Sequence, residues 1–137
     1  MILRADFNVP LKNGIIQSTK RIDAVIPTIK LILQNNPEQL IIISHLGRPK
    51  TFEKNLSLQP IADYINQYYN IQVDFFNLNE LQKISKIILL ENIRFFQEET
   101  KMISTTKKFR KKLSNLADIY INDAFGCCHR NHSSIIG

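Results

Sequence analysis

The arginines of this sequence are placed differently from its lysines, and the difference indicates a localised anion-binding site. Most lysines fall in runs that are typical of a solvent-exposed helix face, such as residues 107–112. Of the six arginines, only Arg110 belongs to such a run, whereas the others lie in or beside short segments with Gly, Pro, Asn or His: Arg4, Arg21, Arg48, Arg94 and Arg130. A planar guanidinium binds phosphate or carboxylate in a bidentate way that a lysine ammonium cannot match. The set suits a small ligand that carries phosphate and carboxylate charge plus hydroxyl groups.

Other polar residues occur where predicted strands end. After four predicted strands come, in chain order, the groups Asp6, Phe7 and Asn8; His45, Gly47 and Arg48; Asn92 and Arg94; and Asp123, Gly126, His129, Arg130 and His132. Ligands of an open parallel sheet bind outside the carboxyl ends of its strands. We therefore expect these loops to meet at one edge of a sheet, with Arg21, at the start of the first helix, pointing to the same edge.

Each of these residues also has a simpler structural explanation. Asp6 and Asn8 could cap a turn, and Asp123 could cap a helix or form an ion pair. A single histidine such as His132 is more often structural than catalytic. Polar residues at strand ends usually serve turns, so it is their joint placement at one edge that favours a binding site.

The elements that would hold these loops alternate between short apolar strands and amphipathic helices. Continuous Ile- and Leu-rich runs at residues 40–44 and 87–91 predict strands covered on both faces. Apolar patterns and turn residues predict further strands at residues 2–7, 71–75 and 119–122, and a strand that begins at 135–136. They also predict helices over 19–33, over 57–69 and from 105 or 106 to 116, with a weak helix over 78–84. The alternation predicts one α/β domain, with a parallel Rossmann-like sheet and helices on both faces.

Three details of the helices are predicted from single residues. Pro27 lies inside the first helical run, so that helix should kink or begin anew there. Ser57 is expected to cap the second helix. The buried stripe of the second helix is predicted to include Tyr68.

The cluster Cys127, Cys128, His129 and His132 raises the possibility of a metal site. Zinc sites normally use separated ligands, which let the backbone wrap the ion, and adjacent cysteines do this badly. Adjacent cysteines also rarely form a disulfide, so they do not indicate an oxidising compartment. The pattern therefore disfavours zinc and leaves the two thiols without an assigned role.

The glycines are too few and too scattered to form a nucleotide loop. None of Gly14, Gly47, Gly126 and Gly137 stands in a G-x-G or G-K-[ST] arrangement. Any ATP chemistry would therefore need a nucleotide site from elsewhere.

Composition sets the remaining limits. The chain has 137 residues, 44% of them hydrophobic, which is enough for one compact domain, and its apolar runs fall short of the ~20 residues that span a bilayer. Arg4 and Asp6 interrupt the apolar start, so no signal peptide is expected and the expected location is cytoplasmic. The net charge of +6 leaves open an alternative, a non-catalytic basic module that binds an anion or nucleic acid. No base-stacking motif or helix-turn-helix pattern supports nucleic acid.

The same segments resemble the phosphoglycerate kinase family. The matching stretches run along essentially the whole chain in the family's order and at about its spacings: residues 4–10 (RADFNVP), 21–22 with 27–29, 44–49 (SHLGRP), 90–95 (LENIRF) and 117–126 (ADIYINDAFG), the last followed by His129-Arg130. Several co-linear motifs of this length are far more specific than any single short pattern.

The resemblance implies an activity and a division of labour. The family reversibly transfers a phosphoryl group from 1,3-bisphosphoglycerate to Mg-ADP, giving 3-phosphoglycerate and ATP in glycolysis. Its N-terminal domain binds the glycerate and its C-terminal domain binds the nucleotide with Mg²⁺. Residues 1–137 would be the N-terminal domain, truncated, with the nucleotide-binding domain absent. We then expect no cofactor on this chain, no activity from it alone, a monomer, and no nucleic-acid or membrane partner.

The resemblance also implies roles for single residues. Asp6, Phe7 and Asn8 would bind the glycerate end, and Arg21 corresponds to the catalytic arginine that stabilises the transferring phosphoryl group. The phosphate and its surrounding charge would be bound by His45, the backbone of Leu46 and Gly47, and three arginines, Arg48, Arg94 and Arg130. This sequence departs from the family pattern at Cys127-Cys128, where small residues such as Thr-Ala are usual, and at Phe96, which replaces a frequent His.

Overall fold

The structure is a computed structural model that describes residues 1–81 and 85–136. Seven strands lie within these residues: β1 (Ile2–Arg4), β2 (Leu11–Lys12), β3 (Ile15–Ile16), β4 (Leu40–Ile43), β5 (Asp74–Phe76), β6 (Ile87–Leu90) and β7 (Tyr120–Asn122). The helices of the same residues are α1 (Lys20–Gln34), α2 (Gln59–Tyr69), α3 (Thr106–Ser114) and α4 (Ser133–Ile136), with short 3₁₀ turns at Lys54–Leu56, Ile93–Phe95, Gln97–Glu99 and Phe125–Cys127.

The main sheet is parallel, as predicted. In the described part of the chain it has five strands in the order β5-β6-β4-β1-β7, and each neighbouring pair is parallel. The central strands β1, β4 and β6 are buried along their whole length. The continuous apolar sequences of β4 and β6 follow from this, because a strand covered on both faces has no solvent side to carry polar residues, whereas β1 ends in the buried Arg4.

Each face of the sheet has its own core. Alternate residues of a strand point to opposite faces. Leu40 and Ile42 of β4 pack with the apolar side chains of α1 and α2. Ile41 and Ile43 pack with Phe109 and Leu113 of α3 on the other side. Helices therefore cover both faces, which confirms the predicted α/β architecture.

Helix α1 excludes one of the two outcomes predicted at Pro27. It runs from Lys20 to Gln34 with Pro27 inside it, so the expectation that the helix begins anew there is wrong. Proline removes one intrahelical hydrogen bond, but buried residues lie on both sides of it in the sequence, and their packing keeps the helix continuous: Ile22, Val25, Ile26, Ile29 and Ile32.

Helix α2 corrects two predictions. It starts at Gln59, with Leu58 at the cap position, so Ser57 is not its N-cap residue. The Ser57 hydroxyl accepts a hydrogen bond from the Gln59 amide at 3.2 Å and donates one to Glu91 at 2.7 Å. Tyr68 is 62% exposed, so its predicted place in the buried stripe is wrong. Its ring packs against Tyr64 at 4.7 Å between centroids, on the surface of the helix.

Three further differences concern short elements. Ile135 and Ile136 belong to α4 and not to a strand, and both of their amides donate to the carbonyl of His132. Residues 78–80 form a turn and a bend, and residues 82–84 of the predicted weak helix lie outside the described residues. The antiparallel hairpin β2–β3, which closes around Asn13 and Gly14 with positive φ, is an addition to the prediction.

Within the described residues, no helix is both long enough and apolar enough to cross a membrane.

Candidate anion-binding site

The loops that follow β1, β4, β6 and β7 meet at the carboxyl edge of the sheet, where they and α1 enclose a cavity of about 270 Å³. Most of the predicted site residues line it, together with Gly126 and Cys127: Asp6, Asn8, Arg21, His45, Gly47, Arg48, Arg94 and Arg130. Phe7 and Leu46 belong to the same loops, but their side chains are buried in the core. Only the backbone of these two residues is left to reach a ligand.

Asp6 and Arg21 form an ion pair at the mouth of the cavity. Nη1 of Arg21 donates to both carboxylate oxygens of Asp6, at 3.0 and 2.8 Å. Asp6 also accepts the amide of Asn8 at 3.1 Å, which turns the chain after β1. Arg21 comes from the first turn of α1, and 54% of its side chain is exposed. An exposed pair of this kind opens at little cost, so Arg21 can exchange Asp6 for an anionic ligand.

The loop after β4 is shaped around Gly47. This residue has φ +63°, and a Cβ built on it would lie 2.9 Å from Cδ2 of Leu56. Its amide donates to Oδ1 of Asn8 at 2.9 Å, and its carbonyl accepts Nη1 of Arg94 at 2.7 Å. The loops after β1, β4 and β6 are thereby joined at one residue.

Arg94 is positioned by the residue two places before it. Oδ1 of Asn92 accepts the amide of Arg94 at 3.1 Å, and Nδ2 of Asn92 donates to the carbonyls of Leu46 and Leu56 at 2.8 and 3.0 Å. The guanidinium is half-buried, and this burial lowers the pKa of Arg94. Its Nε is buried and has no hydrogen-bond partner among the described residues. A bound anion would relieve both costs.

The positive charge of the cavity is largely uncompensated by the protein. Within residues 1–81 and 85–136, the ion pairs join Arg4 to Glu99 and Arg21 to Asp6, while His132 lies near Glu99 as a neutral ring, since burial lowers its pKa to about 4. In that part of the chain, Arg48, Arg94 and Arg130 therefore make no ion pair. Three guanidinium groups without carboxylates around one cavity are the arrangement expected of a polyanion site.

His45 faces the cavity as a neutral donor. Nη2 of Arg4 lies 3.2 Å from Nδ1 of His45, and a guanidinium can only donate, so Nδ1 must be the acceptor. Burial and then the charge of Arg4 lower the pKa of His45 to about 2. The hydrogen-bond network thus assigns the single ring proton to Nε2. Nε2 lies 3.9 Å from Sγ of Cys127 on the cavity wall.

A buried polar network behind the cavity was not predicted. Arg4 is fully buried, its Nε donates to Oγ of Ser134 at 2.9 Å, and it lies 4.0 Å from Glu99. Glu99 accepts the amide and hydroxyl of Ser134 at 2.8 and 2.6 Å, and burial raises its pKa. Nothing in the sequence separates Glu99 from its acidic neighbour Glu98, which is only partly buried, and only the fold brings Glu99 to Arg4.

The remaining candidates are placed around the site. The carboxylate of Asp123 accepts the hydroxyl of Thr28 at 2.7 Å and so ties β7 to α1. His132 is buried beside Glu99, with Nδ1 3.8 Å from a carboxylate oxygen. Of the adjacent cysteines, Cys127 is buried and Cys128 is exposed. No group of three or more His, Cys, Asp or Glu side chains that could hold a metal ion occurs in the residues that the structure describes.

Comparison with known proteins finds matches along the whole chain. The family model for phosphoglycerate kinase matches residues 1–137. The phosphoglycerate kinase of Wolbachia pipientis wMel is 44% identical, over 98% of this chain and 35% of the relative. That of Dictyoglomus turgidum is 42% identical, over 100% of this chain and 36% of the relative. The chain thus spans about a third of the length of the curated relatives it matches.

Solved structures give the same result. The structure of phosphoglycerate kinase from Coxiella burnetii superposes with a TM-score of 0.84 at 36% identity, and it covers 97% of this chain and 34% of its own. The crystal structure of the enzyme from Pyrococcus horikoshii OT3 gives a TM-score of 0.80 at 28% identity, over 99% of this chain and 36% of its own.

Proposed function

This chain belongs to the phosphoglycerate kinase family, and from that premise we propose that it supplies the glycerate-binding half of the enzyme. The full reaction would transfer a phosphoryl group reversibly from 1,3-bisphosphoglycerate to ADP, giving 3-phosphoglycerate and ATP. The observation that carries the proposal is the cavity at the carboxyl edge of the sheet. Arg48, Arg94 and Arg130 line it, and none of the three pairs with a carboxylate of the described residues.

The roles of the side chains follow from their positions. The three arginines would bind the phosphate of 3-phosphoglycerate, and the Nε2–H of His45 would add a neutral donor. Asp6 and Asn8 already act as hydrogen-bond acceptors in this cavity, which suits them to the hydroxyl of the glycerate. The backbone of Phe7, Leu46 and Gly47 completes the wall.

Arg21 would stabilise the phosphoryl group in transfer. The transition state of phosphoryl transfer spreads negative charge over the equatorial oxygens, so a positioned cation lowers the barrier more than any covalent contribution does. Arg21 lies at the mouth, is half-exposed, and is held by a pair that opens readily. These features support the role that the family resemblance implies for it.

The nucleotide and its Mg²⁺ are assigned to the other half of the enzyme. The described residues contain no cluster of carboxylates, histidines or cysteines that could hold a metal ion, and the sequence has no glycine-rich phosphate loop. We assign no step of nucleotide chemistry to this chain. We further propose that the protein works in the cytoplasm as a monomer, with no nucleic-acid or membrane partner.

Isothermal titration calorimetry with 3-phosphoglycerate tests the proposal. We expect saturable binding that weakens with salt, and Arg48→Ala should weaken it by roughly 10-fold or more, because a charge-assisted hydrogen bond contributes about 1.5–3 kcal/mol. Lys111→Ala is the matched control: it removes the same charge from the exposed face of α3, outside the cavity. Binding that is absent, or equally weakened by both substitutions, would contradict the proposal.

The chain alone should also produce no ATP from 1,3-bisphosphoglycerate and Mg-ADP in a coupled assay. Turnover above the uncatalysed rate would contradict the division of labour, because it would require a nucleotide site within these residues.

A further inference from the structure

Cys127 lies on the wall of the anion cavity, although the proposed reaction gives it no role. It ends the 3₁₀ turn Phe125–Cys127 that follows β7, and it is 5% exposed. It shares the cavity with Arg94 and Arg130. Cys128, the next residue, is exposed to solvent and does not line the cavity. The two adjacent thiols therefore sample different electrostatic environments.

His45 gives an independent observation at the sulfur, because it places a hydrogen-bond donor beside it. Its side chain is buried, with 3% exposed, and Nδ1 is already occupied by Arg4. The proton on Nε2 has Sγ of Cys127, at 3.9 Å, as its partner among the described residues. The sulfur therefore lies between a hydrogen-bond donor and the cationic cavity, and the nucleophile in disulfide exchange is the thiolate.

The cavity also selects the reagent. Four guanidinium groups, those of Arg21, Arg48, Arg94 and Arg130, face the space in front of the sulfur, and only Arg21 is paired with a carboxylate in the described residues. A cleft lined by one sign of charge raises the local concentration of the opposite charge by roughly 10- to 1,000-fold. Anionic thiol reagents should therefore reach Cys127 more often than cationic ones of the same size.

We propose that Cys127 is a covalent modification site within the anion cavity, at which small anionic disulfides or thiosulfonates attach and exclude the glycerate substrate. The thiolate of Cys127 attacks one sulfur of the reagent, a new disulfide forms, and the other half leaves as a thiolate or a sulfinate. The proton of the thiol passes to solvent. A reducing thiol reverses the step by exchange at the same disulfide. The exclusion of substrate, though not the modification itself, rests on the proposed function.

Two thiol reagents of similar size and opposite charge test the site. The anionic 2-sulfonatoethyl and the cationic 2-trimethylammonioethyl methanethiosulfonates should be compared on the Cys128→Ser chain, which keeps Cys127, and on the Cys127→Ser chain, which keeps Cys128. Each rate is divided by the rate of the same reagent with a small neutral thiol. At Cys127 we expect the anionic reagent to be favoured by roughly 10-fold or more, with the preference reduced in high salt. At Cys128 we expect little preference.

The label should also abolish binding of 3-phosphoglycerate in calorimetry, and dithiothreitol should restore it. In the unsubstituted chain, fragmentation mass spectrometry assigns the label to one of the two cysteines, so the comparison does not depend on either variant folding. Failure of Cys127 to react in the folded chain, the absence of a charge preference, or unchanged binding after labelling would overturn the proposal. If the unlabelled chain binds no 3-phosphoglycerate but Cys127 still prefers the anionic reagent, the proposed function fails and the modification site stands.

Discussion

Gly47 shows how one residue determines the geometry of the cavity. Its positive φ is disfavoured for a residue with a side chain, and its missing Cβ leaves room for Leu56. Its amide and carbonyl meet the side chains of Asn8 and Arg94, so three loops take their relative positions from this backbone. The positions of Asn8 and Arg94 in the cavity therefore depend on a residue that has no side chain.

Gly47→Ala should therefore be costly in both stability and binding. We expect the free energy of unfolding to fall by about 1–2 kcal/mol from the left-handed backbone alone, and further because Cβ would meet the Leu56 side chain. Gly14→Ala is the matched control, since Gly14 also has positive φ, at +75°, but its Cβ would meet nothing within 4 Å. Urea unfolding measures the first effect, and calorimetry with 3-phosphoglycerate measures the second.

The outcome at Gly47 separates strain from crowding. A larger loss of stability than at Gly14, together with weaker binding, is the expected result. Equal losses at the two positions would show that the contact with Leu56 is relieved without cost and that the loop tolerates a side chain.

Among the elements, the N-terminus of α2 depends on a residue from another strand loop. Glu91, buried after β6, accepts the amide of Leu58 at 3.0 Å, the hydroxyl of Ser57 at 2.7 Å and its neighbour's amide at 2.7 Å. A carboxylate at a helix N-terminus satisfies unpaired amides and complements the helix dipole. The loop that positions Arg94 is thereby joined to α2.

Replacing this carboxylate by an amide should loosen that connection. Glu91→Gln puts an N–H donor where three donors already converge, so we expect a loss of about 1–3 kcal/mol in the free energy of unfolding. Glu53→Gln is the control, because Glu53 accepts one amide, that of Lys50 at 3.2 Å, at an exposed position. Its change should stay within about 0.5 kcal/mol. A small effect at Glu91 in urea unfolding would contradict the capping role.

The elements also show what sequence patterns can and cannot predict. Strands β4 and β6 were predictable because a short, continuous apolar run is typical of a strand that is covered on both faces. The exposure of Tyr68 could not be predicted, because helical spacing does not fix how far the apolar stripe extends round a helix. The cavity loops were predictable because strand ends of a parallel sheet converge. The pairing of Arg4 with Glu99 could not be predicted, because it depends on tertiary packing between residues far apart in the chain.

In the molecule as a whole, the histidine on the cavity wall and the histidine behind it are both held away from water. His45 and His132 are both buried, and burial, followed by the charges of nearby arginines, lowers the pKa of His45 to about 2 and that of His132 to about 4. The cationic cavity that suits an anionic ligand therefore keeps its histidines neutral.

The free energy of unfolding should fall as the pH is lowered below about 6.5, the ordinary pKa of histidine. Below that pH the two histidines bind protons in the unfolded chain but not in the folded chain, so acid favours unfolding. For His45 alone the loss between pH 6.5 and 5.5 is about 1 kcal/mol, and His132 acts in the same direction. Glu99 opposes them, since its pKa is raised and its folded form gains a proton first. Asp23 and Glu98 have lowered pKa values and lose their contribution only in stronger acid.

Urea unfolding at pH 7.5, 6.5 and 5.5 measures this slope, and substitutions assign it. His45→Asn should flatten the dependence between pH 6.5 and 5.5 even if it lowers stability at every pH, because Asn cannot take up the proton in the unfolded chain. His129→Asn is the matched control: His129 is exposed and follows the two cysteines, so its removal should leave the slope almost unchanged. Equal slopes for the two variants would show that His45 is not held neutral in the folded protein. The tautomer inferred for it, with its N–H towards the cavity, would then be wrong, because a protonated ring could not accept from Arg4.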